Sequence, residues 1–164
     1  MSNIAGVYWD DTAAAPGISL SVYFSGCHFH CPGCHNPEAW DFNYGEPYNE
    51  EFCNKVIRML HKNGVKRKLS ILGGEPFAPE NREAVASLIS EVLTVYPDTV
   101  IYIWTGYTIE ELQAENDDIV NFILDVIDTL IDGRFEIDKR DTTLPLRGSP
   151  NQRIIHLAEE RANG

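Results

Sequence analysis

The stretch ISLSVYFSGCHFHCPGC, residues 18–34, decides how the chain is read. Its first part, Ile18–Phe24, is rich in β-branched and aromatic residues and ends at Ser25-Gly26, the pattern of a strand that stops at a turn. Its second part crowds three of the chain's four cysteines, Cys27, Cys31 and Cys34, into eight residues. Pro32 and Gly33 disfavour a helix there, so a compact loop is expected to wrap its thiolates around one small object. A disulfide framework would spread its cysteines out; clustering points to a metal centre.

Beyond this loop, helical and strand patterns alternate. Glu50–Lys62 carries Phe52, Val56, Met59 and Leu60 at helical spacing and stops at Gly64. Lys68–Leu72 reads as a short strand running into Gly73-Gly74, and Pro79–Tyr96 as a helix with Val85, Leu88, Ile89, Val92 and Leu93 inward. Val100–Trp104 is a second buried strand, ended by Thr105-Gly106, and Thr108-Ile-Glu-Glu111 has the form of a capping box. Asp117–Asp125 continues in helix, Val126–Ile131 is a further strand broken at Asp132-Gly133, and Ile154–Leu157 is a last one. Such alternation predicts an α/β fold with a mainly parallel sheet in one domain, residues 1–164. A full eight-unit barrel takes about 250 residues, so the chain has room for half to two-thirds of one. In these folds chemistry sits in the loops after the strands, and the informative residues cluster there: Gly26-Cys27, Gly73-Gly74-Glu75, Thr105-Gly106-Tyr107 and Asp132-Gly133-Arg134.

The formal net charge of −12 disfavours contact with phosphate backbones, so nucleic acid is not an expected partner. No run of about 18 apolar residues indicates a membrane span. The N-terminal MSNIAGVYWDD lacks the basic flank and apolar core of a signal peptide, which places the protein in the cytoplasm.

Three thiolates suit an iron–sulfur cubane, because sulfur is its preferred ligand and three protein ligands leave one iron open to a small molecule. Zinc is the main alternative, with His28, His30 or His35 as a fourth ligand. A four-cysteine carrier would need Cys53, which falls inside a predicted helix and reads better as a small buried residue.

Cys-x3-Cys-x2-Cys directly after a strand resembles the signature of the radical S-adenosylmethionine enzymes, and Gly73-Gly74-Glu75-Pro76 resembles their glycine-rich motif. Cys34-His35-Asn36 followed by Trp40 resembles the activating proteins of glycyl-radical enzymes. Within that group, VYFSGC (22–27), Pro32-Gly33-Cys34, WTGYT (104–108), DGRF (132–135) and RGSPNQ (147–152) resemble the activating proteins of anaerobic (class III) ribonucleoside-triphosphate reductase, over residues 16 to 157. The resemblance implies a partial β/α barrel and a [4Fe–4S] cluster on Cys27, Cys31 and Cys34. It also implies S-adenosylmethionine held near Gly33, Cys34, His35, Gly73, Gly74, Glu75, Thr105 and Gly106. The cluster would cleave S-adenosylmethionine reductively, and the resulting radical would take hydrogen from a glycine of the reductase large subunit. A low-potential, flavodoxin-like protein would supply the electron. Activation of pyruvate formate-lyase is the nearest enzymatic alternative, and a zinc-stabilised interaction module the nearest of another class. Two departures stand out: Gly33 replaces the aromatic residue many radical enzymes carry before the third cysteine, and Ala15-Pro16-Gly17-Ile18 lacks the arginine of the family's Gly-Pro-Gly-x-Arg.

Other residues have structural and functional readings side by side. Glu75 reaches a cofactor or caps its loop. Asp132 and Arg134 pair with each other or with a ligand. Arg147, Asn151, Gln152 and Arg153 follow a strand-poor segment (Ile137–Pro150) of the kind that docks partners or contacts cofactors. Trp9, Trp40 and Trp104 read as core or interface aromatics.

Overall fold

The computed structural model describes residues 2–34 and 37–163. Strands β1 (Asn3–Asp11) and β2 (Ser19–Phe24) are antiparallel neighbours, and β3 (Glu46–Pro47) pairs with the start of β1. After helix α1 (Glu50–Leu60), β4 (Lys68–Gly73) lies parallel to β2. Helix α2 (Arg82–Val95) leads into β5 (Ile101–Trp104). Helices α3 (Ile109–Ala114) and α4 (Asp118–Val126) lead into β6 (Thr129–Asp132), so that β4, β5 and β6 run parallel. Strand β7 (Arg153–His156) returns antiparallel on β6, and α5 (Leu157–Asn163) follows it. The sheet order is β3-β1-β2-β4-β5-β6-β7.

The α/β class is as expected, but the sheet is mixed: parallel through its centre and antiparallel on both flanks. Connection length accounts for the first flank. A parallel crossover takes a dozen or more residues, and the short link between Asp11 and Ser19 only lets the chain turn back. β1 has no counterpart among the expected strands. Gly6 and the Asp10-Asp11 pair blur its alternation, and irregularities between Ile4 and Gly6 and between Tyr8 and Asp11 shift its register against β2. The strand expected at 126–131 begins later, because α4 runs on to Val126 and Ile127 N still bonds Ile123 O.

Alternation along the central strands divides the sheet into two unlike faces. Leu20, Val22, Phe24, Leu69, Ile71, Ile101, Ile103 and Leu130 join the main core with Val56 and Leu60 of α1, Leu88 and Val92 of α2 and Ile123 of α4. The opposite face begins with small hydroxyls: Ser70 donates to Ser19 at 3.1 Å and Ser21 to Asp11 at 2.7 Å. It ends, toward the C-terminal strand ends, in Tyr23, Leu72 and Trp104, which border a cavity. Small groups at one end and a cavity at the other put the open volume where the strand-end loops meet.

Arg67 anchors the entry to β4. Its side chain is buried; Nε donates to Asp10 Oδ1 at 2.6 Å, and Nη1 lies within hydrogen-bond distance of the carbonyls of Met59, Leu60, Lys62 and Val65. These include the last carbonyls of α1, which have no partner within the helix. Replacing Arg67→Met removes these side-chain bonds from a buried site and leaves Asp10 without its partner. We expect a loss of roughly 2 kcal/mol of unfolding free energy, measured as a lower urea midpoint at unchanged m-value.

Candidate metal centre

The four central strands deliver their loops to one end of the sheet. Three backbone segments interlock there. Gly26 N donates to Ala39 O at 2.6 Å, Cys27 N to Trp40 O at 3.1 Å, and Glu75 N to Gly26 O at 2.7 Å. Gly74 lies against this knot: a Cβ on it would stand 2.4 Å from Gly26 O and 2.6 Å from Ala39 O. The backbone of the cysteine loop, besides any ligand, therefore demands glycine at position 74. Asn81, fully buried and not singled out from the sequence, ties the same loops by donating Nδ2 to Ser25 O (2.9 Å) and Glu75 O (3.1 Å).

The cysteine loop leaves this knot at Cys27, which is buried, and carries Cys31 and Cys34 half-buried; all three are free thiols. Cys34 N bonds Cys31 O at 3.1 Å, closing the turn over Pro32 and Gly33. Gly33 adopts φ +75, with the Ile137 side chain packed where its Cβ would go. Burial pushes the Cys27 thiol up, against hydrogen bonds from the backbone of Phe29 and His30. Burial likewise raises Cys31, reinforced by the neighbouring Cys34. Thiolates that bind metal must lose these protons first.

Phe29 fastens the loop to the rest of the site. Its ring packs edge-on to Tyr107 at 4.9 Å, occupies the space where a side chain on Gly106 would go, and lies under the Arg134 guanidinium at 4.2 Å. Nothing in the sequence pattern singles Phe29 out; a lone aromatic between two cysteines has no periodicity to read. His28 turns outward to Glu80, Nε2 to Oε2 at 2.8 Å, and His30 stacks on Trp40 at 4.5 Å. His35, expected near S-adenosylmethionine or as a fourth zinc ligand, lies outside the described residues.

Cys27, Cys31 and Cys34 border a cavity of about 410 Å³, walled also by Gly73, Gly74, Glu75, Thr105 and Gly106. That volume falls within the range of cofactor sites, about 300–1,000 Å³. Among the described residues no three Cys, His, Asp or Glu side chains stand gathered as a closed metal site. In a cluster, separate irons take separate thiolates, and the three thiols border one cavity. Cys53 lies instead in the main core under the helices.

Glu75 is fully buried and saturated by protein donors: Oε2 accepts from Thr105 Oγ1 (2.6 Å) and Phe77 N (2.8 Å), Oε1 from Gly106 N (2.6 Å). Burial drives its carboxyl up to about 7, opposed by those three hydrogen bonds. Asp132 and Arg134 do not pair with each other. Asp132 is buried, accepts from Ile109 N at the start of α3, and pairs with Arg153; Arg134 pairs with Glu111 at 3.5 Å. Gln152 accepts from Gly148 N and donates to Gly133 O, Asn151 donates to Arg134 O, and Arg147 to Gln152 O. The irregular segment thus braces the loop after β6 and brings Gln152 and Phe135 to the cavity wall.

A family described as "4Fe-4S single cluster domain" matches residues 13–155. The chain is 40% identical over 147 residues to the anaerobic ribonucleoside-triphosphate reductase-activating protein of Vibrio cholerae, covering 89% of this chain and 92% of that one. It is 36% identical over 148 residues to the protein of that name from Salmonella typhi (90% and 94%) and 31% over 153 residues to that of Enterobacteria phage T4 (93% and 92%). With identity of this order running through nearly the whole of each relative, and with its three clustered thiols inside the matched span, the chain belongs to the family of anaerobic ribonucleoside-triphosphate reductase-activating proteins.

Proposed function

We propose that this chain activates an anaerobic ribonucleoside-triphosphate reductase by generating a glycyl radical on its large subunit. In this reading Cys27, Cys31 and Cys34 hold one [4Fe–4S] cluster, and S-adenosylmethionine binds in the adjoining cavity. The observation that carries it is the meeting of three free thiols with the Gly73–Glu75 and Thr105–Gly106 loops around one volume of about 410 Å³. When bound, the cluster and S-adenosylmethionine supply one-electron cleavage chemistry that amino-acid side chains lack.

The protein's share is binding, orientation and exclusion of water. Gly73, Gly74 and Gly106 bring bare backbone to the cavity wall beside Cys34. Glu75 works from behind that wall: its three bonds hold Thr105 and Gly106 at a set distance from the glycine loop. The strand order fits a partial radical-enzyme barrel whose open face is the one bearing Tyr23 and Trp104, within a single domain. An acidic surface, with a net charge of −12, favours a protein partner over nucleic acid. A flavodoxin-like donor and a cytoplasmic setting complete the reading; among the described residues no helix is long and apolar enough to cross a membrane.

Anaerobic reconstitution with iron and sulfide, followed by dithionite and S-adenosylmethionine, tests the reading directly. We expect about four irons per chain, 5′-deoxyadenosine as product, and a glycyl radical signal on added reductase. Stoichiometric zinc with no 5′-deoxyadenosine would overturn the reading. Replacing any one of Cys27, Cys31 or Cys34 by Ala should abolish cleavage, whereas Cys53→Ala should keep the cluster.

Glu75→Gln sets an amide N–H₂ against the N–H of Gly106 or of Phe77. The metal-free protein should lose about 1–3 kcal/mol, read by urea denaturation. Its pH response should change as well. The Glu75 carboxyl titrates near 7 when folded and near its ordinary value of 4.5 when unfolded. Between those limits the folded state binds the extra proton, so this group's contribution to stability falls as pH rises. That component of the slope should vanish in Glu75→Gln.

A further inference from the structure

Two tryptophans border the cavity that the three cysteines enter, and they differ in one respect. Trp104 donates its indole N–H to Leu146 O at 2.7 Å. Trp40 Nε1 is buried and has no acceptor among the described residues. A buried donor without an acceptor is a cost that native structures seldom leave standing.

Trp40 is held by the cysteine loop from two sides. Its carbonyl accepts the N–H of Cys27, and the ring of His30, the residue before Cys31, stacks on the indole at 4.5 Å with the planes 11° apart. The cavity that Trp40 borders together with Cys27 and Cys31 is where an acceptor for Nε1 can arrive. The densest anionic acceptors there are the sulfurs of an iron–sulfur cluster. We propose that Trp40 donates its indole N–H to a sulfur of the cluster and thereby raises the cluster's reduction potential; this rests on the cluster assignment above. The sign follows from charge. Reduction adds an electron to the cluster, a donor aimed at its sulfur bonds the more negative state more strongly, and hydrogen bonds to sulfur are among the terms that set cluster potentials.

The test uses the full chain, reconstituted anaerobically, labelled with ¹⁵N-indole tryptophan, reduced with dithionite and free of S-adenosylmethionine. Pulsed EPR should detect an exchangeable proton and a ¹⁵N coupled to the reduced cluster. Both signals should disappear in Trp40→Phe and persist in Trp104→Phe. In a redox titration Trp40→Phe should shift the midpoint to more negative potential. At fixed poise the reduced-to-oxidised ratio should fall about tenfold, which for a one-electron couple is about 59 mV. If Trp40→Phe takes up less iron than wild type, benzothienylalanine at position 40 keeps the ring shape and the His30 stack while replacing N–H with sulfur, and should give the same shift. An unchanged or more positive midpoint overturns the proposal. So does coupling that survives Trp40→Phe, or that appears only after S-adenosylmethionine is added, which would identify the cofactor carboxylate as the acceptor. Failure of wild-type protein to form any cluster overturns the site assignment and the proposal together, whereas a normal cluster with an indifferent Trp40 overturns this proposal alone.

Discussion

The close approach of Gly74 to the carbonyl oxygens of Gly26 and Ala39 is the constraint on which the site depends. Only backbone fits there. Because it fits, Glu75 N can reach Gly26 O, and the loop after β4 closes onto the root of the cysteine loop. Asn81 then bonds both loops from the start of α2, and the Glu75 carboxylate carries the connection across to Thr105 and Gly106 after β5. Three strand ends become one rigid rim. Tightly packed interiors transmit displacement rather than absorb it, so a side chain at position 74 would move Cys27 as well as the glycine loop.

Buried polar groups do much of this joining, and the hydrogen bonds they make fix direction. Tyr107 N donates to Thr105 Oγ1, which leaves the Thr105 hydroxyl to donate to Glu75. Asp132 caps α3 and holds Arg153, which also reaches Glu110. These carboxylates sit at the ends of strands or in the loops that follow them, where a ligand contact is the natural first reading. Their geometry gives them another use: they hold loops in register so that glycine backbone and thiols can face the cavity. Networks of this kind rigidify a structure when complete and are costly when one member is removed.

What was legible in the sequence followed from periodicity and from chemistry with a fixed spacing. The helices at 50–60 and 82–95 and the strands at 68–73 and 101–104 announce themselves because one face of each is buried in a single core. The capping box at Thr108 and Glu111 is present as read, because it is a purely local interaction. The cysteines and glycine loops were found by their spacing and by where strands end. β1 escaped because an outer strand, half-exposed and irregular in register, has no strict alternation to show. Asn81, Arg67 and Phe29 escaped for a different reason: their partners lie far along the chain, at Ser25, Asp10 and Tyr107, and no local pattern encodes such a meeting.

The two faces of the sheet divide the remaining work. The helix-covered face is continuous aliphatic and aromatic core and supplies the main share of the hydrophobic stabilisation. The other face is freed from that duty and can vary along the strands. Serines at its start let neighbouring backbone lie close, and Tyr23, Leu72 and Trp104 at its end stand apart far enough to leave a cavity. A short chain cannot give up much core and stay folded. Placing this cavity at the strand ends sets it where loops already supply the walls. The same economy explains why the irregular segment from 137 to 152 is ordered by Gln152 and by Leu146 O on Trp104: it borders this side of the sheet with a few hydrogen bonds rather than further strands.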